Sequence, residues 1–80
     1  MEPDQVVVVS VMERLCDTYG VKTVALLLGV NWRSVSRWRA GAGRIGRDHA
    51  WKLIELSRLT PESMQETIHF HVQARQTGIY

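Results

Sequence analysis

Residues 21–41 run VKTVALLLGVNWRSVSRWRAG, two short apolar periodicities hinged on one glycine. No other stretch narrows the possible folds as much. Val24 and Leu28 stand four apart, and Val35 and Trp38 three apart, the spacings that place side chains on one face of a helix. Only Gly29, Val30 and Asn31 lie between the two patterns. Gly29 falls where the chain must reverse, in a left-handed conformation that a residue without a Cβ adopts most easily. The Asn31 side chain is suited to accept a hydrogen bond from the first free amides of the helix behind it. The spacing predicts helices over 21–28 and 32–40. They cross closely at the small Ala25, with Val30 filling the space between them.

The flanks extend the helical pattern. Val8, Val11, Met12, Leu15 and Tyr19 follow the i, i+3, i+4, i+7 rule. They predict a first helix from Gln5 to Tyr19, started by Pro3 and Asp4 and stopped by Gly20. Val6 to Val9 favour extended chain by propensity, so a short strand there competes. The stretch GAGRIG over 41–46 is too glycine-rich for regular structure. A fourth helix follows over about Asp48 to Arg58. Ala50, Trp51, Leu53, Ile54 and Leu56 give it a broad apolar face, and both Trp51 and Trp38 are expected in the core. Thr60 and Pro61 form a helix start, a capping hydroxyl before proline at the first helical position, and Glu62 suits the dipole there. Met64, Ile68 and Val72 make a helical stripe up to a stop at Gly78. Ile68, Phe70, Val72 and Ala74 also alternate as a strand would. Helix is favoured for 61–76, with strand as the alternative. The expected fold is all-α: four to five short helices, with a domain over 1–59 and a C-terminal extension over 60–80.

Composition excludes several classes of function. The single Cys16 permits no intramolecular disulfide, which fits a reducing compartment, and it falls on an apolar helix face as a small core residue. The run VVVVSVM is too short to span a membrane and is followed by Glu13 and Arg14. No signal peptide is visible, and a cytoplasmic protein is expected. His69 and His71 share a face only on a strand, and no acid or cysteine has ligand spacing with them, so no metal is expected. Asp48, His49 and Ser57 lack any nucleophile elbow or oxyanion motif. Neither an enzyme nor a cofactor is expected. At 80 residues the chain buries a modest core, and a second copy would supply further burial, so a homodimer is expected.

Charge is unevenly distributed. From Thr18 to Arg47 the chain carries Lys22, Arg33, Arg37, Arg39, Arg44 and Arg47 and no Asp or Glu. Against a net +2 for the whole chain, these +6 leave −4 on the rest. Such asymmetry suits one face built for a polyanion. On a wheel of about 100° per residue, Val35 and Trp38 define the inner side of the third helix. Arg33, Ser36, Arg37 and Ala40 cluster on the opposite side. Trp32 lies at the flank, where it either packs on a neighbouring helix or lies against a sugar or thymine methyl. A basic and polar helix face with one small residue suits a major groove.

With Ala25 at the crossing, LGV at Leu28 to Val30 and SVSRW over Ser34 to Trp38, the stretch 21–41 resembles the helix-turn-helix of the Cro/repressor-type family of phage and bacterial regulators. The resemblance extends loosely to Leu59. It implies a helical, usually dimeric domain that binds double-stranded DNA and regulates promoters. Asn31, Trp32, Arg33, Ser36 and Arg37 take the groove-facing places by that resemblance. Arg39 stands where many relatives carry Glu and joins the DNA-binding set as a further basic residue. The second helix is more apolar than usual, which leaves Leu26 or Leu27 exposed to a partner. Arg44 and Arg47 flank the glycine loop and suit phosphate contacts, helped by the amides of Gly43 and Gly46. Two functions fit: a sequence-specific repressor, or an antitoxin-type module on the same frame that binds a toxin through 60–80 and represses its own promoter.

Overall fold

The structure, a computed structural model, describes residues 2–76. Among them it contains helices α1 (Gln5–Tyr19), α2 (Val21–Leu28), α3 (Trp32–Arg39), α4 (Arg47–Ser57) and α5 (Pro61–Gln76), and no strand. The expected stop at Gly78 lies outside the described residues.

Both segments with strand character are helical. In α1, Asp4 caps the first turn, its carboxylate accepting from the Val6 amide at 2.8 Å. Val8, Val11, Met12, Leu15 and Cys16 are then buried along one stripe. Burial of that stripe outweighs the valines' preference for extended chain, which is small and dependent on context. In α5 the Thr60 hydroxyl accepts from the Ser63 amide at 3.1 Å. Met64 and Ala74 are buried, and Ile68 packs partly against the core. The alternation at Ile68, Phe70 and Val72 has no counterpart in the fold. Phe70 is 66% exposed and Val72 38%, on flanks of α5 about 160° apart on a helical wheel.

Glycines make the corners. Gly20 alone joins α1 to α2, at φ 92°. Gly29 closes α2 at φ 71° and ψ 31°. Its amide donates to the Leu26 carbonyl at 3.2 Å, and the Val30 amide to the Ala25 carbonyl at 3.0 Å. This crossed pair is the Schellman arrangement. The same pattern recurs at Gly41, where the Gly41 amide donates to Trp38 and the Ala42 amide to Arg37. Between the two turns, the Asn31 carboxamide oxygen accepts from the Arg33 amide at 2.9 Å and starts α3.

α1 packs against α2, α3 and α4, and α5 packs on α2. Val24, Ala25, Leu27, Leu28 and Val35 meet the α1 stripe in one core with Ala50, Leu53, Leu56 and Met64. Two expectations need correction. Trp51 is 41% exposed rather than core. On α4 the buried residues are Ala50, Leu53 and Leu56, and Trp51 sits about 100° round the helix from Ala50. Ile45, in the loop before α4, is buried instead, 1% exposed. The expectation of an exposed Leu26 or Leu27 on α2 holds only in part: Leu27 is buried and Leu26 half-buried.

Ala25 is 3% exposed inside this core. Ala25→Leu is expected to overpack the core there at about 1–3 kcal/mol. A Cβ on Gly29 would meet nothing within 4 Å. Gly29→Ala is therefore expected to lose only the backbone preference, about 1–2 kcal/mol, and Gly29→Asn less. Urea titrations of the three variants check this. Wild-type midpoints for Ala25→Leu and Gly29→Ala would contradict both the tight packing at Ala25 and the turn.

Candidate nucleic-acid interface

α3 has eight residues, of which Val35 alone is fully buried, with Trp38 half-buried beside it. That inward pair sets the rotation of the helix. Arg33 and Arg37 are exposed on the far side, four residues apart, with Ser36 half-buried between them. Arg37 and Arg39 lie in the last turn, where positive charge complements the helix dipole. Asn31 is exposed, its side-chain oxygen committed to the cap. Trp32 is 44% exposed. The Arg33 guanidinium carbon lies 5.7 Å from the Trp32 ring centroid, a cation–π separation that holds the arginine beside the indole.

Arg39 sits apart from this set, about 120° from Arg33 and 160° from Arg37 on the wheel. It reaches α1, where it pairs with Asp17 at 3.6 Å. Its charge is felt there by Cys16: burial pushes that thiol above its ordinary value, and the Arg39 guanidinium pulls the other way. A buried thiol held protonated is a poor nucleophile, which fits Cys16 as a core residue.

The loop after α3 carries Arg44 and leads to Arg47. One guanidinium nitrogen of Arg37 lies 4.0 Å from where a Cβ on Gly43 would stand, so Arg37 lies alongside the glycine loop. Arg44 is exposed and forms an ion pair with Glu2. Arg47 is the first residue of α4, with Asp48 next to it supplying the negative charge that complements the helix dipole there. Both ion-paired arginines meet carboxylates at the surface, in pairs that contribute about 1 kcal/mol or less and exchange readily.

A contact absent from the sequence-based expectations fixes this loop. The Gln5 side chain donates from Nε2 to the Ile45 carbonyl at 2.9 Å, and the Ile45 amide donates to Gln5 Oε1 at 3.0 Å. The two-way bond satisfies both backbone groups of a residue whose side chain is buried in the core. Ile45 is the one large apolar residue between Trp38 and Ala50, and that isolation was a signal for burial. Nothing local pointed to Gln5. His69 and His71 take no part in such a cluster. His71 Nδ1 lies 2.9 Å from the Thr67 carbonyl within α5, and among the described residues no three His, Cys, Asp or Glu gather as metal ligands would.

Gln5→Ala should leave the Ile45 amide and carbonyl without these partners, at a cost of about 1–3 kcal/mol. Hydrogen exchange at the Ile45 amide should accelerate more than at the amides of α2. Unchanged protection at Ile45 would show that the Gln5 bond does not hold the loop.

The surface is thus a helix face bearing Arg33 and Arg37, with Arg37 alongside the loop that carries Arg44, and with Arg47 at the start of α4 behind it. Compared with protein-family models, with curated proteins and with solved structures, the chain matches none.

Proposed function

We propose that the chain is a sequence-specific regulator of transcription, a dimeric repressor of the Cro/repressor helix-turn-helix type that lays α3 in the major groove of double-stranded DNA. The observation that carries this is the pair Arg33 and Arg37, exposed and four apart on the face of α3 opposite the buried Val35. A major groove admits one helix, and arginine meets the O6 and N7 of guanine in a two-pronged contact. Asn31, Trp32 and Ser36 border the same face and would reach adjacent bases or sugars. Arg44 on the loop and Arg47 at the start of α4 would hold phosphates. Arg39 at the helix end would join them on release from Asp17.

Phe70 and Val72 stay exposed on α5, which favours a protein contact there. A second copy covering either flank of α5 would pair two recognition helices, which on a palindromic operator stand about 34 Å apart on one face of the duplex. The same exposed side chains support the alternative, an antitoxin-type module that holds a toxin through 60–80. Both readings place the protein in the cytoplasm. Among the described residues no helix is long and apolar enough to cross a membrane.

The two pairs of arginines should fail differently. Alanine at Arg33 or Arg37 should cost about 1–3 kcal/mol on the best site and much less on random DNA. Alanine at Arg44 or Arg47 should weaken both about equally and flatten the log–log salt dependence by about 0.9 per lost phosphate contact. Operator selection from random DNA, followed by a salt series on one selected and one random fragment, reads both effects. Equal losses on both fragments for all four variants would leave only a basic patch. No binding by the wild type to any DNA at low salt would pass the case to the protein-interaction reading.

A further inference from the structure

A groove of about 510 Å³ runs between the start of α1 and the end of α3, with Val6 and Val9 on one wall, Trp38 on the other and Arg39 and Arg44 at the rim. We propose that it binds a small amphipathic carboxylate, a medium-chain or aryl-alkyl acid, with the tail along Val6 and Val9 and the head on a rim guanidinium. The groove is open to solvent, so it covers one side of a ligand, with apolar walls and a few placed polar groups.

Val6 stands clear of the core, while Val9 and Trp38 pack against it with one side and line the groove with the other. Of the four consecutive valines of α1 only Val8 is buried, and Val6 is 79% exposed. Val6 and Val9 stand three apart, so they present one continuous strip to the groove. Trp38 is backed by His49, with ring centroids 5.7 Å apart, which braces the indole as a wall. Gly41 and Gly43 line the same groove, and a Cβ on Gly41 would meet nothing within 4 Å. The glycine loop therefore leaves the groove open instead of filling it.

The rim selects the sign of the ligand's charge. None of the lining residues is acidic, and two are arginines. Each guanidinium already holds a carboxylate brought from elsewhere in the chain, Asp17 on Arg39 and Glu2 on Arg44. These are exposed pairs of the weak class, each made through one guanidinium nitrogen, so an incoming acid takes the remaining N–H donors while its tail covers Val6 and Val9. A neutral or cationic amphiphile gains the apolar contact alone. This binding does not depend on the DNA reading.

Decanoate, decanol and decylamine, each titrated below its aggregation threshold into the full chain, test the proposal by NMR of the Val6 and Val9 methyls and the Trp38 indole. Decanoate should give saturable shifts at all three, about tenfold tighter than the alcohol or the amine, the worth of one charge-assisted hydrogen bond. Arg39→Gln or Arg44→Gln should reduce that preference, and the double variant should abolish it. Val6→Asp should weaken decanoate binding by about tenfold or more, with folding checked by circular dichroism because Val6 lies outside the core. Absence of saturation, equal binding of all three probes, or a preference unmoved by the double variant would each overturn the proposal. So would an acidic apolar peptide shifting these signals where decanoate does not.

Discussion

The placement of the basic helix depends on one buried side chain. α3 is eight residues long, too short to hold helical shape without packing, and Val35 is its only fully buried residue. With Val35 fixed in the core, helical geometry dictates the rest. Arg33 and Arg37 must point outward, Trp38 must lie partly against the core, and Arg39 must swing toward α1. Asn31 in front and the Gly41 turn behind fix where the helix begins and ends. The direction of four charged or aromatic side chains thus follows from a single valine.

How much of this was legible in the sequence depends on the range of the interaction. The ends of α1 and α2, and the start of α3, follow from Asp4, Gly20, Gly29 and Asn31, each of which acts within a few residues of its own position. The outward face of α3 was equally legible, because 3.6 residues per turn needs no tertiary knowledge. Trp51 marks the limit of that reasoning. A broad apolar pattern on α4 does not say how much of its width the neighbouring helices cover, and the core closes fully over Ala50, Leu53 and Leu56 and partly over Ile54. The Gln5 bond to Ile45 joins residues 40 apart, as remote as Glu2 is from Arg44. Such contacts depend on how the elements dock, which no local spacing encodes.

Charge is sorted by element as well as along the chain. Among the described residues, the ion pairs at Arg39 and Arg44 use carboxylates from α1 and from the segment before it. Acidic residues therefore sit beside the basic surface at two of its edges, on the side of α1. The Arg33 and Arg37 face belongs to a stretch with no acid of its own. A polyanion approaching α3 meets uninterrupted positive charge on that helix and local competitors only at the margins. Such an arrangement narrows the strongest attraction to the face of α3.

The two-way bond between Gln5 and Ile45 divides the loop after α3 into unlike halves. Upstream, Gly41 and Gly43 adopt positive φ angles, and only Arg37 comes near either one's missing Cβ. Downstream, Ile45 is locked by its side chain in the core and by its backbone to α1. Ile45 is thus a fixed datum from which α4 is measured. Residues inserted between Gly41 and Gly43 would lengthen the turn out of α3 while leaving Ile45, the Arg44 beside it and the start of α4 in place. The exit from α3 can thereby change length without displacing the charge that follows it.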